Sequence, residues 1–197
     1  MTDTKISLPI AIGVYAMYFM VSGMGATTPA IAGLGAAFPD VPQATITMIN
    51  TLPSLAVIVG TLFMGAVAGK KIPFKTAALV ALTVYLIFGI IPAFWHDSFE
   101  GILVTRVICG LDMGLVAPLG AAVFTNLITS KEERSKYLGR GGAFQQIGCV
   151  AMTFIGGWLA AVDVNYTWLA YLLCIPCLIL VAFCYKDTDA TRIVESE

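Results

Sequence analysis

Apolar residues run along this chain in long blocks, and charged residues mark the gaps. Ile6 to Pro39 is 34 residues without a charge, Val41 to Gly69 is 29, and Thr76 to His96 is 21. Gly101 to Ser130 is 30 residues broken only by Arg106 and Asp112. Gly141–Val162 and Val164–Tyr185 are 22 each. A helix needs about 20 apolar residues to cross the hydrocarbon of a bilayer, and every block meets that length. The pattern predicts an all-α membrane protein with six transmembrane helices, near 6–38, 43–69, 76–95, 101–128, 141–162 and 165–185. They form a single transmembrane domain over 1–197, with short loops. Pro29, Gly33 and Gly35 predict a loosened outer end of the first helix rather than two short spans. The first block is too long for a cleavable leader.

Composition agrees and narrows the classes. Apolar residues are 58% of the chain and charged residues 12%, about half the usual charged share of a soluble domain. The mean hydropathy is +0.88. A net charge of −1 gives no basic footprint for a nucleic acid. The five cysteines all fall inside apolar runs, so a disulfide framework is not expected. Cys174-x-x-Cys177 lies mid-run and reads as two small apolar helix residues. A single histidine, His96, cannot build a metal site, and no nucleophile–base pair is visible. Neither a cofactor, a metal nor an enzymatic activity is expected.

Charge placement orients the helices. Of the eleven basic residues, ten flank one set of ends: Lys5; Lys70, Lys71 and Lys75; Lys131, Arg134, Lys136 and Arg140; Lys186 and Arg192. The loops at Asp40, His96–Glu100 and Asp163–Tyr166 hold none. The positive-inside rule then predicts both termini in the cytoplasm. The expected location is a bacterial cytoplasmic membrane. Trp95, Tyr166 and Trp168 near the outer ends suit an interfacial aromatic belt.

An internal echo points to a repeat. Met24-Gly25-x-x-x-Pro29 returns as Met113-Gly114-x-x-x-Pro118, and Phe63-x-Gly65 returns as Phe154-x-Gly156. The offsets are 89 and 91 residues, in the same order. A three-plus-three repeat follows. An odd number of crossings separates its units, so they are inverted, as in many secondary transporters.

These residues together resemble the N-terminal half of a major facilitator superfamily transporter, over nearly the whole chain. Arg106-x-x-Cys109-Gly110, then Gly114 and Pro118, is similar to the family's fourth-helix motif. Gly148 with Phe154-Ile-Gly156-Gly157-Trp158 is similar to its fifth-helix motif. Gly65-x-x-x-Gly69-Lys70-Lys71 with Lys75 is similar to the loop motif between helices 2 and 3. Two departures stand out. Gly69 occupies the place of the family's loop aspartate, and Met152-Thr153 replaces the Gly-Pro pair of antiporters. The family usually has twelve helices. The resemblance therefore implies a partner: a second six-helix half, either a C-half-like chain or a second copy. It also implies a cavity lined by helices 1 and 4, with 2 and 5 contributing and 3 and 6 outside.

The candidate pathway residues follow. A charge at bilayer depth costs ~2.5–3.5 kcal/mol on insertion scales, so Arg106 and Asp112 are the sharpest signals. Six residues along a helix set them about 120° apart, which disfavours a direct salt bridge. Asp112 is the one carboxylate inside a span, and so the candidate to take up and release a proton. Tyr15, Tyr18, Asn50, Gln145 and Gln146 are candidate contacts for a small-molecule solute, or else interhelical hydrogen-bonding groups. Gly110-x-x-x-Gly114 and Gly65-x-x-x-Gly69 are close-approach surfaces, and Gly156, Gly157 and Pro118 belong to the same packing motifs. The leading expectation is half of a secondary active transporter working by alternating access, coupled to a proton or ion gradient. The alternative is a non-transporting subunit that stabilises or regulates a partner.

Overall fold

A computed structural model describes residues 6–67 and 72–186. Six spans are long and apolar enough to cross a membrane. In chain order they are span 1 (Leu8–Ala37), span 2 (Met48–Ala66), span 3 (Phe74–Phe94), span 4 (Phe99–Leu127), span 5 (Lys131–Val162) and span 6 (Val164–Cys184). Gly69, Lys70 and Lys71 of the loop motif lie outside the described residues.

Two spans are not uniform α-helix. Span 1 is α-helical over Leu8–Val21, 3₁₀ over Gly23–Ala30 and α-helical again over Ile31–Ala37. The segment Gly-Met-Gly-Ala-Thr-Thr-Pro explains the change: two glycines weaken the helix, and Pro29 removes a donor. The irregular backbone therefore sits in mid-span rather than at the expected outer end, where Ile31–Ala37 is regular α-helix. Span 6 begins as a 3₁₀ helix, Val164–Leu173, and becomes α-helical at Cys174.

Span 5 corrects the sequence expectation. Its helix begins at Lys131, ten residues before the expected start at 141. Ser130 caps it, accepting from Glu133 N at 3.4 Å, and Glu132 and Glu133 occupy the first turn, where the helix dipole favours acids. Lys136 pairs with Glu132 at 2.8 Å one turn away. The charged stretch is thus a helical extension of the membrane span rather than a loop.

Neighbour relations reflect the repeat. Span 4 packs on spans 2 and 3, span 1 packs on spans 5 and 6, and spans 1 and 4 meet each other, as do spans 3 and 6. Exchanging 1 with 4, 2 with 5 and 3 with 6 maps this set onto itself. Among the described residues the exchange fails where spans 5 and 6 pack together along Val164–Leu173, which has no comparably extensive counterpart between spans 2 and 3. Glycines set the two tightest crossings. A Cβ on Gly110 would strike the Pro53 carbonyl, and one on Gly114 the Val57 carbonyl, so spans 2 and 4 touch backbone to backbone. Gly148 stands likewise against the Phe19 carbonyl and Gly156 against that of Ala26, seating span 5 on span 1. Thr167 of span 6 locks this contact from behind, its hydroxyl 2.9 Å from Ala26 O and 3.2 Å from Gly156 O. Gly157 lies 3.3 Å from Pro29 by the same measure, and Pro118 is half-buried within span 4. Gly65 has no described atom within 4 Å of such a Cβ; on span 2 the close contact is at Gly60, against Leu111 O of span 4.

Candidate functional site

Arg106 is 1% exposed, on the most enclosed of the six spans. Its Nη1 donates to Tyr171 Oη at 2.7 Å, and its Nη2 donates to the carbonyls of Phe88 at 2.9 Å and Gly89 at 3.3 Å. The guanidinium carbon lies 4.6 Å from the centre of the Trp168 ring and 4.9 Å from that of Tyr171. The local helix type makes this cage. In a 3₁₀ helix, side chains three apart eclipse, so Trp168 and Tyr171 face the same way. Gly89 makes room, since a Cβ there would sit 2.5 Å from the Tyr171 ring. Trp168, expected in the interfacial belt, is instead fully buried over this cation; Trp95 and Tyr166 are exposed. All of these partners are neutral. A buried cation held by oriented dipoles and ring faces avoids most of its desolvation cost without a counter-ion.

Asp112 faces elsewhere, as the 120° separation requires. It is 5% exposed, and its Oδ2 accepts no hydrogen bond among the described residues. It borders a cavity of about 10 Å³, with Met20 and Val21 of span 1, Leu82 and Tyr85 of span 3, and Met113 and Val116 of its own span. That is about the room of one water. The buried acid and the buried base of span 4 therefore occupy different crevices, Arg106 toward spans 3 and 6 and Asp112 toward spans 1 and 3.

The other candidates fall in three further places. Tyr15 and Tyr18 join an aromatic cluster between spans 1, 4 and 5. The Tyr15 ring stacks on Phe144 at 4.8 Å and meets Phe124 at 5.4 Å, and Tyr18 lies parallel to Phe124 at 6.2 Å. Gly120 and Gly141 hold the Tyr18 ring between them, each with an ideal Cβ 2.8 Å from it. Asn50 ties span 2 to the 3₁₀ segment of span 1: Thr27 Oγ1 donates to its Oδ1 at 2.7 Å, and its Nδ2 donates to Thr28 Oγ1 at 3.3 Å. Gln145 is half-buried on span 5, and Gln146 is exposed. The structure pairs Tyr15 with Tyr18 but gathers no single pocket from all seven residues.

Some participants were missed by sequence reasoning. Tyr171 and Trp168 complete the Arg106 cage, Tyr85 borders Asp112, and Thr27 and Thr28 hold Asn50. The i, i+3 spacing of Trp168 and Tyr171 was the available signal, hidden because an α-helical reading turns them 60° apart. Cys174 and Cys177 are buried thiols, as their place in an apolar run suggested.

The comparisons with known proteins place this architecture. The family model described as Major Facilitator Superfamily matches residues 8–196. The chain belongs to the major facilitator superfamily. Among solved structures it is similar to the proton:xylose symporter XylE bound to 6-bromo-6-deoxy-D-glucose, with a TM-score of 0.68 at 14% sequence identity. The match covers 89% of this chain and 43% of the symporter's chain, so the chain spans less than half the length of that protein. No curated protein sequence matches it significantly.

Proposed function

We propose that this chain forms half of a secondary active transporter, moving a small organic solute by alternating access together with a second six-helix unit. The observation that carries this reading is the match of 89% of this chain to 43% of a proton-coupled symporter's chain. A surface feature supports it. Span 2 exposes Leu55, Ile58, Val59, Leu62 and Phe63, and span 5 exposes Ile147, Val150, Phe154 and Trp158. Polar groups interrupt these faces at Thr51, Ser54 and Gln146, all exposed; the Thr51 and Ser54 hydroxyls donate to Thr47 O and Asn50 O of their own helix, at 3.4 Å and 2.8 Å, so Gln146 is the group that calls for a polar surrounding. A polar side chain directed at lipid is costly, so a second unit or a water-filled cavity suits these faces better than acyl chains do. The second unit is a C-half-like chain or a second copy of this one.

Asp112 is the coupling group in this proposal. It is a carboxylate at membrane depth, enclosed and lacking a donor on Oδ2. Its reading is tested in proteoliposomes carrying this chain with and without a C-half-like partner. The pair should accumulate solute under a proton gradient. Asp112→Asn should assemble, lose gradient-driven accumulation and retain solute exchange. Wild-type accumulation by Asp112→Asn, with unchanged pH dependence, would assign coupling to the partner. A second reading, a non-transporting subunit that stabilises a partner, is favoured by the dispersal of the seven candidates over separate crevices. Uptake by the partner alone, at the rate of the pair, would select it.

A further inference from the structure

Spans 5 and 6 meet along Val164–Leu173 and part along Cys174–Cys184. Span 1 is left bare between them, and a groove of about 300 Å³ opens there. Ile12, Ala16 and Phe19 form its floor, and Phe144, Cys177 and Leu180 stand at its sides; the lining is almost wholly apolar. Ile12, Phe144 and Leu180 are also exposed on the outside of the bundle, so the groove opens sideways between spans 5 and 6.

Depth and charge identify an occupant. Span 5 has 32 residues, or ~48 Å of helix, against a hydrocarbon layer of ~30 Å. Counting back from its end at Val162, ~33 Å of helix reaches Arg140, which sets that side chain at headgroup level. Phe144 at the groove lies one turn deeper. Arg140 is exposed, and its guanidinium carbon lies 5.7 Å from the centre of the Tyr137 ring. Tyr137 stacks in turn against Tyr15, at 6.5 Å and 10°, and Tyr15 lines the groove. On the same extension Lys136 is engaged by Glu132, whereas no carboxylate among the described residues pairs with Arg140. A cation at phosphate depth thus stands at the mouth of an acyl-sized apolar slot.

We propose that this groove binds one phospholipid with an anionic headgroup, its chain along Ala16 and its phosphate at Arg140. Basic recesses between transmembrane helices suit such headgroups, and a zwitterionic lipid brings an ammonium that offsets the attraction. The site does not depend on whether the chain transports.

The test is native mass spectrometry of the purified full chain, titrated with dioleoyl phosphatidylglycerol or dioleoyl phosphatidylcholine. The expected result is one retained phosphatidylglycerol, bound about fivefold more tightly than phosphatidylcholine, as one basic residue at a membrane surface supplies. Arg140→Gln should abolish that preference, and Ala16→Phe, which fills the floor, should abolish retention of both lipids. Where Ala16→Phe does not fold, Leu180→Trp serves: brominated phosphatidylglycerol should quench it more than brominated phosphatidylcholine, and Arg140→Gln should remove the difference. Equal binding of the two lipids by the wild type, or an unchanged preference in Arg140→Gln, overturns the proposal. So does undiminished retention by a folded Ala16→Phe.

Discussion

Arg106 shows how a charge can be made at home in a membrane protein by neutral groups alone. Its three short hydrogen bonds end on a phenol and two carbonyls, and two ring faces cover the guanidinium. A lysine cannot reproduce this, because its ammonium lacks the planar fork that reaches several acceptors while stacking on rings. Arg106→Lys should lower stability by about 1–3 kcal/mol, the cost of leaving buried acceptors unsatisfied. Tyr171→Phe removes the acceptor at 2.7 Å and should cost about 1–2 kcal/mol. The two changes act on one contact, so the double variant should lose less than their sum. Thermal unfolding in detergent, followed for all three variants, measures the coupling; strict additivity would show that the bond contributes nothing. Sequence reasoning found Arg106 because a charge in an apolar run is conspicuous. It could not find the cage, because Trp168 and Tyr171 share a face only once the backbone is 3₁₀.

At the scale of the element, small residues decide where helices touch, and their position matters more than their number. The Gly-x-x-x-Gly at Gly110 and Gly114 was readable as a contact, and it is one. Gly65 had the same signature, yet no described atom lies within 4 Å of a Cβ built on it, while Gly60, five residues earlier and on another face, makes the crossing with span 4. A spacing rule marks helices capable of close approach but cannot say which face turns to a neighbour. Two glycines of span 5 give a matched test. Gly148→Ala places a methyl against the Phe19 carbonyl and should destabilise by about 1–3 kcal/mol, through displaced backbone. Gly139→Ala meets nothing within 4 Å and should stabilise by up to about 1 kcal/mol, since alanine is the better helix former. Denaturation midpoints of the two variants should move in opposite directions. The start of span 5 was illegible for a related reason. Counting apolar runs finds where lipid begins, whereas the helix begins at its cap, and Lys, Glu and Arg are good helix formers.

For the whole molecule, hydrophobic blocks predicted all six spans, because the bilayer imposes one length on every crossing. The repeat was readable too, in two short echoes, and neighbour relations follow it except where spans 5 and 6 join. The convergence of polar residues was not readable, since each side chain's direction depends on local helix type. Charge placement predicts the orientation: both termini in the cytoplasm, with Asp97 facing outward and Ser135 inward. A membrane-impermeant maleimide applied to intact cells should therefore label Asp97→Cys and spare Ser135→Cys, in a background lacking the five native cysteines. The reverse pattern would invert the topology.

The neutral cage around Arg106 has an electrical consequence. A charge balanced by a nearby carboxylate moves through a membrane field as a dipole and feels little of it. Arg106 is clamped to spans 3, 4 and 6 by groups that carry no net charge, so its full elementary charge travels with those spans. Each elementary charge carried through the whole field is worth about 2.3 kcal/mol per 100 mV, and a partial displacement is worth its fraction of that. If the bundle tilts as a body between two states while Asp112, on the same span, is protonated, the membrane potential favours one of them; an ionised Asp112 travels with Arg106 and cancels the effect.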